Sequence, residues 1–314
     1  MNLLVVSCYK SQLASDFANA LDVPLIHVKT GRFADTEVYV DLNYSDLLNG
    51  AQVLLVHQFN LSQSAAGFSV NDQLMDLLLA CDLLKNIGVK KITAILPYLA
   101  YSRQDESFNK KFIGPVQLLG HLFKDAGIDT VFSCDLHSNK LVELVSVKLK
   151  EISLINFWLD IIQANFGNEI NKNNLCIVSP DEGGIERSTK IASILNVPVA
   201  CIIKERRMPD FPVALGFDGH VKSKVAIIVD DIASTGRTAI QASYMLRSHG
   251  ANKIIGLFSH AVFSYGAVCR LVKSEFDKIF VTDTLLTPID LNCKKIHVYS
   301  VNKYLIQHIS EVLD

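Results

Sequence analysis

Short apolar runs alternate with longer segments of helical periodicity along the whole 314-residue chain. Several of these runs consist of Val, Ile and Leu without polar alternation, which is typical of strands covered by helices on both faces. The predicted strands are residues 3–6, 52–57, 91–96, 130–133, 175–178, 199–203, 225–229, 254–258, 278–281 and 295–299. The predicted helices are residues 12–21, 71–87, 115–125, 185–195, 237–248 and 302–313. This alternation predicts an α/β fold in which parallel strands are joined by right-handed crossovers.

A weak internal similarity predicts two lobes of the same plan. The segment 88–92, which leads to a predicted strand at 130–133, is similar to the segment 250–254, which leads to a predicted strand at 278–281. Shared strand–helix patterning alone would also produce such a similarity. The fold class that we expect is therefore α/β with two similar, doubly wound parallel-sheet lobes.

The chain is longer than a typical domain with a single hydrophobic core, so we expect two lobes and one terminal element. The first lobe is predicted to cover residues 1–150 and the second residues 151–300. The remaining residues, 301–314, form a predicted C-terminal helix that packs back on the first lobe. No low-complexity linker separates the lobes.

Composition excludes several classes of protein. Lys and Arg total 30 against 32 for Asp and Glu, so the formal charge of −2 gives no general attraction to nucleic acid or to an anionic membrane. The leucine-rich stretch 74–84 is interrupted by Asp76 and Asp82, and the first residues lack a basic region, so neither a membrane span nor a signal peptide is expected. The seven cysteines are scattered without a C-x-x-C pair. We therefore expect a cytoplasmic protein in a reducing compartment.

The strongest chemical motif lies at residues 225–238. An apolar strand ends in two adjacent carboxylates, a turn rich in hydroxyls and glycine comes next, and a helix begins. Such a turn can bind a phosphate through backbone N–H groups at the helix N-terminus, and carboxylates at the strand end can bind sugar hydroxyls. A capping turn would also use Asp, Ser and Thr, but it does not require two acids on a buried strand. The candidate residues are Asp230, Asp231, Ser234, Thr235, Gly236, Arg237 and Thr238.

Five further segments accompany this motif. They read Gly-Arg-Phe-Ala-Asp-Thr-Glu at 31–37, Pro-Tyr-Leu-Ala-Tyr-Ser-Arg-Gln-Asp at 97–105, Asp-Leu-His at 135–137, Ser-Pro-Asp-Glu-Gly-Gly at 179–184 and Lys-Glu-Arg at 204–206. In order and spacing, the whole set resembles the motifs of the ribose-phosphate diphosphokinases, also called PRPP synthetases. The type I phosphoribosyltransferases share the loop at 230–238 but would lack the first two segments.

The resemblance implies roles for particular residues. It implies ATP binding by a first lobe and ribose-phosphate binding by a second, with Mg²⁺ as the cofactor. The implied ATP-binding residues are Phe33, Asp35, Thr36, Glu37, Arg103, Gln104 and Asp105. The implied metal ligands are His137 and Asp181, the implied catalytic residues are Lys204 and Arg206, and the loop residues already named would bind ribose 5-phosphate. It also implies a homo-oligomer that shares its ATP site across subunits.

Most of these residues also have ordinary structural interpretations. The segment 31–37 could be a turn into a strand, and Arg103 could be a surface ion-pair partner of little energetic value. His137 could be a core histidine, Asp181 a turn residue, and Lys204 part of a solvated charge cluster. It is their occurrence together that favours the functional interpretation.

The implied activity is transfer of the diphosphoryl group of ATP to the 1-hydroxyl of ribose 5-phosphate, which yields PRPP and AMP. Two alternatives remain: an inactive regulatory paralogue that binds nucleotide, and a phosphoribosyltransferase that consumes PRPP. The chain departs from the common family pattern at Glu106, Ser234 and Arg237. The serine in the loop and the Lys-x-Arg spacing resemble the archaeal-type branch of the family, so the departures bear on assembly and allosteric behaviour rather than on the chemistry.

Overall fold

The structure is a computed structural model that describes residues 2–42, 46–61, 69–104, 114–205, 214–264, 266–286 and 293–313. The chain divides into two compact units. Unit 1 comprises Met1–Ile152, Thr284–Leu286 and Val301–Asp314, and unit 2 comprises Ser153–Asp283 and Thr287–Ser300. The functions predicted for the two lobes stay predictions at this point.

The elements occur in the alternating order that the sequence predicts. In the first part of the chain they are β1 (Leu3–Ser7), α1 (Gln12–Leu21), β2 (Leu25–His27), β3 (Lys29–Arg32), β4 (Val38–Asp41), β5 (Gln52–Val56), α2 (Val70–Ile87), β6 (Lys91–Ile95), α3 (Pro115–Asp125), β7 (Thr130–Cys134), α4 (Leu141–Leu144) and β8 (Lys148–Ile152). They continue with α5 (Ile155–Asn171), β9 (Leu175–Ser179), α6 (Ile185–Leu195), β10 (Val199–Glu205), β11 (Ala214–Asp218), β12 (Val225–Ile232), α7 (Arg237–Ser248), β13 (Lys253–His260), α8 (Ala267–Val272), β14 (Lys278–Thr282), β15 (Ile296–Tyr299) and α9 (Asn302–Leu313).

Each unit contains one large sheet. In unit 1 the strand order is β2-β1-β5-β6-β7-β8, and all of these pairs are parallel. In unit 2 the order is β11-β10-β9-β12-β13-β14-β15, and of these described pairs only β10–β11 is antiparallel. If β11 is left out and the strands of each large sheet are numbered along the chain, both sheets have the same strand order, 2-1-3-4-5-6. The predicted fold class, two similar doubly wound lobes of mainly parallel strands, is confirmed.

The sheets are parallel because helices cover their faces and bury apolar strands completely. β9 and most of β12 are buried along their length. In unit 2 the core on one face contains small residues of α7, such as Ala239 and Ala242, which let that helix lie close to the sheet. Strands buried in this way carry continuous Val and Ile runs, since both of their faces meet apolar side chains.

Unit 1 is completed by the far end of the chain. α9 packs against α1 and buries Leu305 and Ile309. Its first residue, Asn302, donates a side-chain hydrogen bond of 2.6 Å to Asp16 of α1. The segment Thr284–Leu286 also joins this unit, through backbone bonds of Leu286 with Phe59 and Leu61.

Several elements were not predicted from the sequence. These are β2, β3, β4, β8, β11 and the helices α4, α5 and α8, of which β4 was expected only under the alternative that the segment 31–37 is a turn into a strand. The longest of them, α5, begins after Leu154 without a side-chain cap and has a non-helical residue, Phe166, inside it. The usual start signal is therefore missing, and the kink interrupts the helical period.

Candidate active site

The C-terminal edge of the unit 2 sheet has a switch point between β9 and β12. From β9 the chain continues to β10 on one side, whereas β12 pairs with β9 on the other side and continues to β13. Helices that come after such neighbouring strands diverge and leave a crevice, which is where ligands bind in open parallel sheets. The loops after β9 and β12 carry candidate residues to this edge.

The loop after β9 is held by hydrogen bonds to its own backbone. Ser179 donates from Oγ to the carbonyl oxygen of Asp181 at 2.6 Å, and the Asp181 carboxylate accepts from the Gly184 amide at 3.3 Å. A Cβ atom on Gly184 would lie 2.9 Å from Ser179 Oγ, so a glycine is needed there for close packing. Asp181 itself is half-buried at the edge of the sheet.

Two carboxylates end the β12 run. The carboxylate of Asp230 accepts a hydrogen bond of 2.9 Å from the Asp231 amide, and Arg187 of α6 lies 3.8 Å from the Asp231 carboxylate. The Asp230 residue is partly exposed, but protein atoms surround its carboxyl group. This desolvation is the main cause that raises the pKa of the Asp230 carboxyl group well above its ordinary value. The charges of Asp231 and Asp181 raise this pKa further, and Arg187 opposes them. The edge therefore concentrates negative charge, which a bound cation or hydroxyl groups would relieve.

The loop at residues 233–238 is tied to the chain after β13. The carbonyl oxygens of Ala233 and Ser234 accept from the amides of Phe263 and Ser264 at 2.9 and 3.1 Å. Gly236 has a φ of 72° and precedes the first turn of α7. Within the described part of the chain, the amides of Gly236, Thr238 and Ala239 have no acceptor, whereas the Arg237 amide donates to the Thr235 hydroxyl at 3.4 Å. An arrangement of this kind can bind an anion.

The segment predicted to bind ATP forms a hairpin in unit 1. Among the described strands, β3 and β4 pair only with each other, and the turn at 33–37 joins them. The Phe33 amide donates to the Glu37 carbonyl at 2.9 Å, Thr36 has a φ of 75°, and the Asp35 carboxylate accepts from the Glu37 amide at 3.1 Å. Phe33 is 58% exposed. The tip thus presents an aromatic ring and two carboxylates to its surroundings.

A buried ion pair attaches this hairpin to unit 1. Arg32, the last residue of β3, donates two bonds of 3.1 Å to the two oxygens of Asp76 on α2. Asp76 is fully buried, and it also accepts a hydrogen bond from the Tyr9 hydroxyl. Burial, and then this bond, raise the pKa of the Tyr9 hydroxyl. The bidentate contact fixes the direction in which β3 leaves unit 1.

The other predicted residues of unit 1 are found in loops. Arg103 and Gln104 are exposed, and the Gln104 amide donates to the carbonyl of Tyr101 at 3.0 Å. His137 is exposed and comes after Asp135, a buried residue with a φ of 31°. Asp105 and Glu106 lie outside the described residues.

The predicted catalytic residues belong to unit 2. Lys204 lies on β10, opposite Leu215 of β11, and Arg206 lies outside the described residues. Two further arginines were missed by sequence reasoning: Arg187, which faces Asp231, and Arg270 of α8, which donates to the carbonyl of Thr235 at 3.1 Å. The position of Arg187 in the first turn after Gly184 was a usable signal, whereas no local pattern marks Arg270.

The metal ligands that the family resemblance implies are His137 and Asp181. Among the described residues, no group of three or more His, Cys, Asp or Glu side chains could hold a metal ion. His137 and Asp181 belong to different units. Mg²⁺ commonly takes only one or two protein carboxylates and completes its shell with phosphate oxygens and water, so hard oxygen donors such as Asp181 fit that ion.

The fold and its loops define an α/β protein of two similar units, and in the second unit a turn with Gly236 leads from β12 into α7. The chain matches family models described as the N-terminal domain of ribose phosphate pyrophosphokinase, over residues 3–127, and the phosphoribosyl synthetase-associated domain, over residues 179–314. It is 31% identical over 300 residues to a putative ribose-phosphate pyrophosphokinase 2 of Listeria monocytogenes, covering 96% of this chain and 92% of that protein. It is also 31% identical over 304 residues to the ribose-phosphate pyrophosphokinase of Neisseria meningitidis, covering 96% and 88%. The chain belongs to the ribose-phosphate pyrophosphokinase family.

A solved structure agrees with this assignment. The phosphoribosylpyrophosphate synthetase of Mycobacterium smegmatis superposes with a TM-score of 0.85 and 29% identity, over 100% of this chain and 99% of that one. The family resemblance inferred from the motifs is thus confirmed. In the described residues, none of the helices has the length and apolar character that crossing a bilayer requires.

Proposed function

We propose that this chain transfers the diphosphoryl group of ATP to the 1-hydroxyl of ribose 5-phosphate and releases AMP. The sugar oxygen forms a bond to the β-phosphorus of ATP, the bond from that phosphorus to the α,β-bridging oxygen breaks, and the hydroxyl proton is lost. The observation that carries the proposal is the loop after β12 in a chain of this family. The amides of Gly236, Thr238 and Ala239 have no acceptor among the described residues, and two carboxylates lie beside this loop.

Ribose 5-phosphate would bind in unit 2. Residues Ser234 to Thr238 would hold the 5-phosphate through hydroxyls and backbone amides, since the amides of Gly236 and Thr238 lack acceptors in the described part of the chain. Asp230 and Asp231 would accept hydrogen bonds from the ribose hydroxyls. The attacking 1-hydroxyl would thereby be held in one orientation, which is the main requirement of phosphoryl transfer.

ATP would be held by the hairpin tip and by the 97–105 segment. Phe33 offers a ring face for a base, and Asp35, Thr36 and Glu37 offer polar atoms for the nucleoside. Arg103, Gln104 and Asp105 would bind the triphosphate or the base. Lys204, with Arg206, would stabilise the charge that develops on the transferred group.

Mg²⁺ is the proposed cofactor. His137 in unit 1 and Asp181 in unit 2 are each proposed as a ligand of Mg²⁺, and Asp181 offers a hard oxygen near the desolvated carboxyl group of Asp230. When bound, the ion would neutralise charge on the triphosphate oxygens. The protein's own contribution is to orient the phosphate groups and the sugar.

Assembly and location remain proposals. We propose a homo-oligomer in which Phe33, Asp35 and Glu37 complete the ATP site of a neighbouring subunit. This is supported by the exposed hairpin tip, which joins two strands that, among those described, pair as strands only with each other. A cytoplasmic location and a place near the archaeal-type branch also stay predictions.

The decisive experiment incubates the protein with ATP, magnesium chloride and ribose 5-phosphate, and separates the nucleotides. AMP should form only when the sugar phosphate is present. ADP and inorganic phosphate as the main products would contradict diphosphoryl transfer. Nucleotide binding without turnover would identify the inactive paralogue, and consumption of added PRPP with a free base would identify the phosphoribosyltransferase.

A further inference from the structure

Side chains of α8 contact the sugar-phosphate loop, residues 233–238. Arg270 donates from Nη2 to the carbonyl oxygen of Thr235 at 3.1 Å. The neighbouring Leu271 packs beneath Gly236, where an added Cβ atom would lie 3.0 Å from Leu271 Cγ. The short helix α8 therefore contacts two successive loop residues, Thr235 and Gly236. The two residues before them, Ala233 and Ser234, are held instead by backbone bonds to the chain after β13.

The bond from Arg270 fixes the orientation of one peptide group. The described peptide bonds are all trans, and the C=O and N–H groups of a trans peptide point in opposite directions. Because the Thr235 carbonyl points toward Arg270, the Gly236 N–H points to the opposite side of the loop. That amide has no acceptor in the part of the chain that the structure describes.

Two physical effects make this N–H a better phosphate donor. A charged donor on the carbonyl polarises the peptide, and hydrogen bonds in series strengthen one another. The peptide is also held in advance, so binding does not require it to be ordered. Gly236, with its φ of 72°, can rotate about its backbone more freely than other residues, so without the arginine the peptide would sample other orientations.

We propose that Arg270 is a positioning residue of the ribose 5-phosphate site, which acts by holding the Thr235–Gly236 peptide with its N–H toward the phosphate. This inference rests on the proposed function of the loop. The simpler interpretation is an exposed arginine with one hydrogen bond of little value. The two interpretations differ in what the loss of the guanidinium does to substrate binding.

The test measures AMP formation by the full chain and its variants while each substrate is varied in turn. Arg270→Met keeps most of the side-chain length and removes the donors. It should raise the KM for ribose 5-phosphate about tenfold, the scale of one lost charged hydrogen bond, and leave kcat and the KM for ATP within about twofold. Arg270→Lys retains one cationic donor and should give an intermediate KM.

Arg247→Met is the matched control. Its guanidinium donates to the carboxylates of Glu275 and Asp277 and to the carbonyls of residues 251, 252 and 275, and none of these belongs to the loop. This variant should lower the melting temperature and change neither KM. An unchanged KM for ribose 5-phosphate in Arg270→Met would overturn the proposal. A variant in which kcat falls while the KM values for both substrates rise to the same extent would also overturn it. The proposal would also be overturned if Arg270→Lys had the same KM for ribose 5-phosphate as Arg270→Met. A KM of Arg270→Lys equal to that of the wild type would overturn it too, because a positive charge alone would then suffice.

Failure of the inference is distinguishable from failure of the proposed function. If the wild-type chain forms no AMP, the proposed reaction is wrong, and calorimetric titration with ribose 5-phosphate then tests the loop directly. Binding by the wild type that is weakened about tenfold in Arg270→Met, with no binding of unphosphorylated ribose, would support the positioning role. Equal affinities of the wild type and the variant would overturn it.

Discussion

Units 1 and 2 share two hydrogen bonds between a side chain and the backbone at corresponding positions. After its first strand, unit 1 has a bond of 2.6 Å from Ser7 Oγ to the Tyr9 carbonyl, and unit 2 has the same bond from Ser179 to Asp181. Just ahead of β7 in unit 1 and of β14 in unit 2, the carboxylates of Asp129 and Asp277 each accept a hydrogen bond from a backbone amide at 2.8 Å. Both carboxylates lie at the N-terminal edge of the sheet, away from the candidate loops.

The two units differ at the opposite edge, where the strands end. Strand pairing aligns Leu3–Gln52 of unit 1 with Leu175–Val225 of unit 2. By this register Tyr9 corresponds to Asp181, and His57 to Asp230. In unit 1 the rings of Tyr9 and His57 lie 5.4 Å apart, and Phe59 lies 4.8 Å from His57. In unit 2 the positions that match Tyr9 and His57 carry carboxylates.

This difference teaches that one scaffold supports two uses of its switch point. Unit 1 fills the position with aromatic rings and a buried ion pair, and its candidate binding residues lie on an inserted hairpin and on loops. Unit 2 keeps carboxylates there, beside the amides at the start of α7. The fold therefore does not determine the chemistry, which depends on the side chains at the strand ends.

The largest expected effect comes from breaking the Arg32–Asp76 ion pair, which attaches the hairpin to unit 1. Asp76→Asn leaves the Arg32 guanidinium without its carboxylate, and removing one partner of a buried pair should lower the free energy of unfolding by about 3 kcal/mol. The KM for ATP should rise as well, because the hairpin loses its anchor. Chemical denaturation and steady-state kinetics measure both effects. The control is Asp82→Asn on the exposed side of the same helix, and equal stabilities of the two variants would refute the anchor role.

The next effect concerns a strand extension in unit 2. β10 continues to Glu205 and pairs with β11, whereas its counterpart β2 ends at His27. Lys204→Ala should lower kcat about 100-fold, the scale for one charge-stabilising group, with little change in calorimetric affinity for ribose 5-phosphate. Lys222→Ala, at an exposed position of the same unit, is the control. Near-normal turnover of Lys204→Ala would remove this lysine from the mechanism.

The third prediction uses pH to compare His57 with its counterpart. Burial lowers the pKa of His57 to about 3 from 6.5, and among the described groups neither ring nitrogen has a hydrogen-bond partner. Between these values the unfolded chain binds a proton that the folded chain does not, so the free energy of unfolding falls as the pH drops below 6.5, by about 2 kcal/mol at pH 5. His57→Phe should remove this part of the pH dependence. Parallel stability–pH curves of the wild type and the variant would contradict the assignment.

Asp230 should show the opposite pH dependence, and its replacement should have the smallest effect on stability. Its raised pKa means that the folded chain retains a proton that the unfolded chain has lost, so this residue reduces stability as the pH rises above 3.8. Asp230→Asn should therefore be more stable than the wild type at neutral pH, while the KM for ribose 5-phosphate rises about tenfold. Asp218→Asn, at an exposed position, controls for charge. A variant that is less stable than the wild type at about pH 7 would show that the carboxylate is not desolvated.

Features that depend on local pattern were predictable from the sequence. Continuous apolar runs predicted ten of the strands, and the Asp-Asp-x-x-Ser-Thr-Gly run indicated the turn into α7. Elements such as β2 and β11 are too short or too dependent on a partner strand to have a period of their own. The pairs Arg32–Asp76 and Arg270–Thr235 join residues 44 and 35 positions apart, so only the folded chain brings them together.

The return of α9 to unit 1 has a consequence for how the protein forms in the cell. Asn302 and Asp16 form a hydrogen bond with each other and are separated by 286 residues. The ribosome therefore synthesises Asp16 long before Asn302. At about 5–20 residues per second, the nascent N-terminal half waits roughly 10–30 s after Ile152 for the partner helix of α1. During that interval the apolar surface that later covers Leu305 and Ile309 is available to chaperones or to other nascent chains. Premature termination just ahead of Val301 would leave it uncovered permanently, so such fragments should be degraded or aggregate even though every described strand is present.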